Sequence, residues 1–155
     1  MSTTRNVGYK EEADLIMLVG PDGVALSASR LTSAATDSTI LQSITSGSAA
    51  RVSSCWVKRI TGTGTVSMTQ DNGSTYTALT LTTSWARYTI AAQTTANPIV
   101  GFKISTSGDA IDVSLFQQEV GAFVSSAIPT TTAAVTRNTE TLTFPAAGNV
   151  PSAGG

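Results

Sequence analysis

The chain has 155 residues, a net charge of −1, 41% hydrophobic residues and only 12% charged ones, which excludes a disordered composition and leaves no basic surface for nucleic-acid phosphates. The lone cysteine, Cys55, excludes an intrachain disulfide, and the absence of histidine removes Ser-His-Asp and Cys-His catalysis together with the ordinary zinc sites. Ser and Thr number 45 against 19 charged residues, so the exterior is largely neutral hydroxyl, and Thr favours pleated, half-buried positions.

Residues 1–14, "MSTTRNVGYKEEAD", are polar and aperiodic and read as an arm. "LIMLVGPDGVAL" (15–26) follows as a short hairpin. Pro21 presets the first turn position and Gly23 tolerates the positive φ after it. The apolar run is too short to span a membrane. Glu11, Glu12 and Asp14 stand where a secretion signal needs basic residues, so export by that route is not expected. "SASRLTSAATDS" (27–38) reads as a small-residue loop.

From Ser38 the pattern has period two. "STILQSIT" puts Ile40, Gln42 and Ile44 on one face. "RVSSCWVKR" sets Ser53, Cys55 and Val57 against Val52, Ser54 and Trp56, with Cys55 packing as a small hydrophobe. "GTVSMTQ" turns Val66 and Met68 inward. "DNGS" (71–74) signals a hairpin, because Asn-Gly fits the positive φ values of a type I′ turn. "TYTALTL", "SWARYTI" and "PIVGFKIS" continue the alternation. After a "TSGD" turn, "AIDVSLFQQ" sets Ile111, Val113 and Leu115 against Asp112, Ser114 and Phe116. About eight short strands at this spacing, with no segment of helical period, predict an all-β antiparallel sandwich or barrel. The tail, "TTTAAVTRNTETLTFPAAGNVPSAGG" (130–155), alternates weakly at Val135 and over 142–144 and reads as an extended linker.

Four stretches in order, "SCWVKRITGTGTVSMT", "TSWARYTI", "SGDAIDVSLFQQEVGAF" and "SSAIPT", resemble a jelly-roll module of bacteriophage tail-fibre and other virion structural proteins. That module is itself similar to carbohydrate-binding β-sandwiches. Its closing pattern is matched by Gln117, Glu119, Gly121, Phe123, Ser126, Ile128, Pro129, Thr130 and Val135-Thr136-Arg137. Gln118, Ser125 and Ala127 depart from it, and Ala127 replaces an aromatic. The resemblance covers residues 36–137 and implies a jelly-roll sandwich over 36–130. It leaves residues 1–35 as an arm and hairpin for attachment or oligomerisation and 131–155 as a tail.

The implied function is non-enzymatic: a virion structural protein, decorating a capsid or forming a tail appendage. Its expected partners are other virion proteins and further copies of itself, a trimer being favoured. Leu15, Ile16, Met17, Leu18 and Val19 are the candidate assembly interface, because this run lacks polar alternation and needs covering. The alternative is a module binding a host cell-surface glycan, with Trp56 and Tyr76 as the candidate platform. No cofactor is expected. A structural calcium would draw on Asp22, Asp37, Asp109 and Glu119, although no Asp-x-Asp-x-Asp-Gly loop exists. Asp109 and Asp112 are near in sequence but lie in a turn and on an outer face, so a glycosidase acid pair is not expected. Neither nucleic acid nor membrane is an expected partner.

Overall fold

The computed structural model describes residues 18–128. The expected arm, the interface residues Leu15, Ile16 and Met17, and the tail from Pro129 onward lie outside the described residues. Eight strands run in chain order: β1 (Ala28–Thr32), β2 (Ser38–Ser43), β3 (Ala49–Thr61), β4 (Val66–Thr69), β5 (Thr77–Leu79), β6 (Ala86–Thr95), β7 (Ile99–Ile104) and β8 (Ala110–Val120). No helix occurs among the described residues.

The strands form two antiparallel four-stranded sheets, ordered β1-β8-β3-β6 and β2-β7-β4-β5. The fold is therefore an all-β sandwich. The pairings nest: β1 with β8, β2 with β7, β3 with β6 and β4 with β5. Every connection except β4–β5 crosses from one sheet to the other.

Alternation explains the core. Cys55 and Val57 of β3, Val66 and Met68 of β4, Ile90 of β6, Phe102 and Ile104 of β7 and Ile111 of β8 form one buried cluster between the sheets. Phe102 and Phe116 meet edge to face at 6.1 Å, worth roughly 0.5–1.5 kcal/mol beyond the area they bury. The expected turns form where their residues require. Asn72 and Gly73 both take positive φ, 61° and 75°, and Gly23 turns the N-terminal hairpin at 74°.

The structure corrects the sequence in three places. The expected loop over 27–38 contains β1, which pairs with β8 through five residues from Ala28↔Ser114 to Thr32↔Ala110. The segment "TYTALTL" keeps only Thr77–Leu79 as strand, and Tyr76 stands just before it. The alternation of "AIDVSLFQQ" is broken at Leu115, which takes φ 51°. The β3–β8 register shifts there, between Ser54 and Trp56. A bulge inserts residues on one strand and so reverses the inside-outside parity beyond it. Ile111 and Val113 face the core before the bulge, whereas Phe116, expected outside, packs against the core after it.

One buried polar side chain bridges the two sheets. Gln70 is 1% exposed. Its amide donates to the carbonyls of Arg51 (3.3 Å) and Ala91 (2.8 Å), and its oxygen accepts from the Ser53 hydroxyl (2.7 Å). It leaves the end of β4 in one sheet and bonds β3 and β6 of the other, beside the register shift between Arg51 and Ser53. Backbone carbonyls away from water need a donor, and Gln70 supplies one to Arg51 and Ala91.

Candidate functional site

The outer face of the β1-β8-β3-β6 sheet carries much of the described charge. Asp112 projects outward from β8, as expected. It is not a solvated surface carboxylate, because it is only 2% exposed. Arg30 of β1 holds it through Nε at 2.8 Å and Nη2 at 3.2 Å, and Lys58 of β3 adds its Nζ at 3.6 Å. The three residues are register partners across the sheet, so β-pairing alone aligns them. The Asp112 hydrogen bond raises the Arg30 guanidinium above its ordinary value. Lys58 also lies 4.9 Å from the centre of the Trp85 ring, a cation–π contact.

Trp56 stands on the same face, between Ser114 of β8 and Arg87 of β6, and is half-buried. Tyr76 belongs to the opposite sheet, where Lys103 of β7 covers its ring at 4.5 Å. The two aromatics thus lie on different sheets and form no common platform.

The four carboxylates considered for calcium are dispersed. Asp22 closes the hairpin turn by accepting from the Ser27 hydroxyl (2.6 Å) and the Val24 amide (3.0 Å), and these bonds hold its carboxyl below the ordinary value. Asp37 is 4.0 Å from Lys103 at an exposed turn. Asp109 is buried and clamps the turn after β3, accepting from the Gly64 amide at 2.7 Å and Arg59 at 3.3 Å. Arg59 in turn donates to the carbonyls of Gly62 and Gly64. Glu119 accepts from the Ser125 amide at 3.0 Å. No three His, Cys, Asp or Glu residues come together among the described residues.

Glu119 belongs to a closing device that the sequence reading did not find. After β8 the chain turns back over the outer face, and residues 121–128 are held there by side chains of the sheet. Arg87 donates to the Ser125 carbonyl (2.6 Å) and the Ser54 hydroxyl (2.9 Å). The Gln117 amide oxygen accepts from the Ile128 amide at 2.8 Å. Burial pushes the Glu119 carboxyl up, but the bonds from Ser125 outweigh it and leave the group below its ordinary value. Two apolar residues of this closing stretch stay in solvent: Val120 at 68% and Phe123 at 88% exposure.

The N-terminal hairpin is the other apolar surface. Leu18 is buried and so offers no free face, while Val19, Val24 and Leu26 are all exposed. Among the described residues the hairpin carries the bridge Val19↔Ala25. It is tied to β8 where the Ser114 hydroxyl donates to the Ser27 carbonyl at 2.6 Å. Cys55 is fully buried, and burial raises its thiol to about 12.

No protein-family model, curated protein or solved structure matches the chain.

Proposed function

We propose that the chain is a non-enzymatic structural subunit of a bacteriophage virion, a jelly-roll sandwich that decorates the capsid or builds a tail appendage. It assembles with other virion proteins and with copies of itself as a trimer. The observation that carries this reading is the nested strand pairing, 1 with 8, 2 with 7, 3 with 6 and 4 with 5. Such nesting is what one long hairpin rolled into two sheets produces, and two Greek keys in eight strands are the jelly-roll arrangement. It agrees with the fold implied by the family resemblance over residues 36–137.

The surface chemistry favours assembly over catalysis. Asp112, Asp109 and Glu119 each satisfy a structural partner. Val19, Val24 and Leu26 present apolar area on the N-terminal hairpin, and such area is covered favourably by a neighbouring subunit. The glycan alternative has less support, since Trp56 and Tyr76 share no face.

The test supplies tagged full-length chain, and a chain lacking residues 1–14, during phage assembly, and then assays purified particles by mass spectrometry and cryo-electron microscopy. The full-length chain is expected at ordered, symmetric positions. The shortened chain is expected to keep its β-sheet circular dichroism and to be missing from particles. Absence of the full-length chain from particles overturns the virion reading, and full incorporation of the shortened chain overturns the role of the arm.

A further inference from the structure

We propose that Asn72 is a site of spontaneous covalent modification, deamidation through a cyclic imide closed by the Gly73 amide nitrogen, and that the buried Thr69 hydroxyl sets its rate. This inference stands independently of the virion reading.

The chain has five asparagines, Asn6, Asn72, Asn97, Asn138 and Asn149. Ring closure needs the next residue's amide nitrogen to reach the asparagine side chain. Val7, Thr139 and Val150 crowd that nitrogen with a branched side chain, and Pro98 has no N–H to give up. Only Gly73 puts no side chain in the way. The turn itself imposes the pair. Both positions take positive φ, 61° and 75°, which Asn and Gly adopt most readily. An added Cβ at Gly73 would also meet the Tyr76 hydroxyl at 2.6 Å. The fold therefore asks, at this turn, for the two residues that cyclise most easily.

The reaction balances with water as its one co-reactant. The Gly73 nitrogen loses its proton to solvent and attacks the side-chain carbonyl carbon of Asn72. A carbon–nitrogen bond forms there, and the bond from that carbon to the side-chain nitrogen breaks. The leaving nitrogen takes up a proton and departs as ammonia. Water then opens the imide at either carbonyl, which leaves aspartate or isoaspartate at position 72. Asn72 is exposed, so water can enter and ammonia can leave.

The native turn restrains the attacking nitrogen. Gly73 donates its N–H to the Thr69 hydroxyl at 3.0 Å, and Thr69 is only 1% exposed. That oxygen also accepts from the Asp71 amide at 3.4 Å and donates to the Asp71 carboxylate at 2.8 Å, so its one proton and both lone pairs are used. The carboxylate accepts a further bond from the Thr75 amide at 2.9 Å, and the Ser74 amide closes on the Asp71 carbonyl at 3.3 Å. To attack, the nitrogen must give up its proton and approach along its lone pair, perpendicular to the peptide plane. The bond to Thr69 opposes both steps, because it holds the proton and fixes the plane. The neighbouring Asp71 carboxylate adds to the restraint, since an anion disfavours a second negative charge beside it.

Conversion to isoaspartate undoes the turn that restrained it. The main chain then runs through the former side chain and is one methylene longer. The Asn72 amide bonds the Ile99 carbonyl at 3.1 Å, at the start of β7, and the Gly73 bond to Thr69 lies on the other side of the insertion. The two bonds cannot both keep their partners, so the modified turn loosens its hold on β7 or on Thr69.

The test incubates the full chain at mildly alkaline pH, folded or in urea, and follows amide-to-acid conversion at each asparagine by peptide mass spectrometry, with fragmentation that separates aspartate from isoaspartate. In urea, conversion at Asn72 is expected to run at least tenfold faster than at any other asparagine. In the folded parent it is expected to run at least fivefold slower than in urea. A Thr69→Val variant, whose urea midpoint confirms a folded sandwich, is expected to convert at least threefold faster than the folded parent, and Thr69→Ser, which keeps the hydroxyl, within twofold of it. The comparison of folded and urea-treated parent stands even where Thr69→Val fails to fold. No preference for Asn72 in urea overturns the site. Equal rates in the folded and unfolded parent, or Thr69→Val converting no faster than Thr69→Ser, overturns the role of Thr69.

Discussion

Gln70 gives the sharpest test of how the two sheets are joined. Replacing it with Leu keeps the size but removes three hydrogen bonds, a buried one at 2.7 Å and two part-buried ones at 2.8 and 3.3 Å. Two carbonyls and one hydroxyl proton then lose their partner. Each unsatisfied buried group costs about 1–3 kcal/mol. The Leu side chain returns about 2 kcal/mol of apolar burial, and the Ser53 oxygen keeps the donor of Gln118 at 3.4 Å. The net loss is about 3 kcal/mol, a large share of a typical stability of roughly 5–15 kcal/mol. With a urea m-value of about 1–3 kcal/mol/M, the unfolding midpoint of Gln70→Leu should fall by about 1–3 M. Gln70→Glu should be worse at neutral pH, because a carboxylate would face the carbonyls of Arg51 and Ala91. The introduced carboxyl has a folded-state pKa above its unfolded value of about 4.3. Its stability contribution is therefore full below that value and lost as pH rises through the folded one, so the variant should recover on acidification. A Gln70→Leu midpoint within 0.2 M of the parent, or a Gln70→Glu variant no weaker than it at pH 7, would refute the reasoning.

Gly62→Ala should lower stability by about 2–4 kcal/mol in thermal melts, because Gly62 sits at φ +83° and an added Cβ would overlap the Asp109 carboxylate; an unchanged melting temperature would mean the turn is not clamped. Cys55 should resist a thiol reagent in the native chain and react on unfolding. Its raised thiol also predicts stability that is full below pH 9 and falls by about 1.4 kcal/mol per unit as pH climbs toward about 12, checked by urea titrations across that range. Glu119 has a lowered native value, so its contribution is present above pH 4.5 and is lost as pH falls through that native value. Amide exchange at Ser125 should accelerate over that acidic range, and Glu119→Gln should remove the pH dependence. Arg87→Ala should release residues 121–128 to proteolysis while the sandwich melts as one unit, since the lost bonds are those to Ser125 and Ser54.

Local signals were legible wherever a residue's own backbone preference or a two-residue period decided the outcome. The Asn72-Gly73 turn, the inward Val66 and Met68, and the buried Cys55 follow from the sequence because each depends on its immediate neighbours. β1 was hidden, because "ASRLT" has one large apolar residue, Leu31, and its strand character comes from pairing with β8. The Leu115 bulge was hidden for a related reason. Nothing in "VSLFQ" marks a positive φ, and the bulge shows only in the pairing with β3, where Ser54 lies opposite Gln117 and Trp56 opposite Ser114. The network of Asp112, Arg30 and Lys58 joins residues 82 and 54 positions apart in sequence, so only sheet order could assemble it. The candidate glycan platform shows the same limit in reverse. Trp56 and Tyr76 looked equivalent along the chain, and the crossing between sheets after β3 put them on opposite sides.

The sequence by itself determined an all-β chain with turns at 21–23, 71–74 and 106–109, a buried thiol and a largely uncharged exterior, because composition and period two act over a few residues. Tertiary structure alone decided which strands are neighbours and which carboxylates are clamped. Those outcomes depend on contacts between segments far apart in the chain, and a period-two pattern specifies a strand's face without specifying its partner.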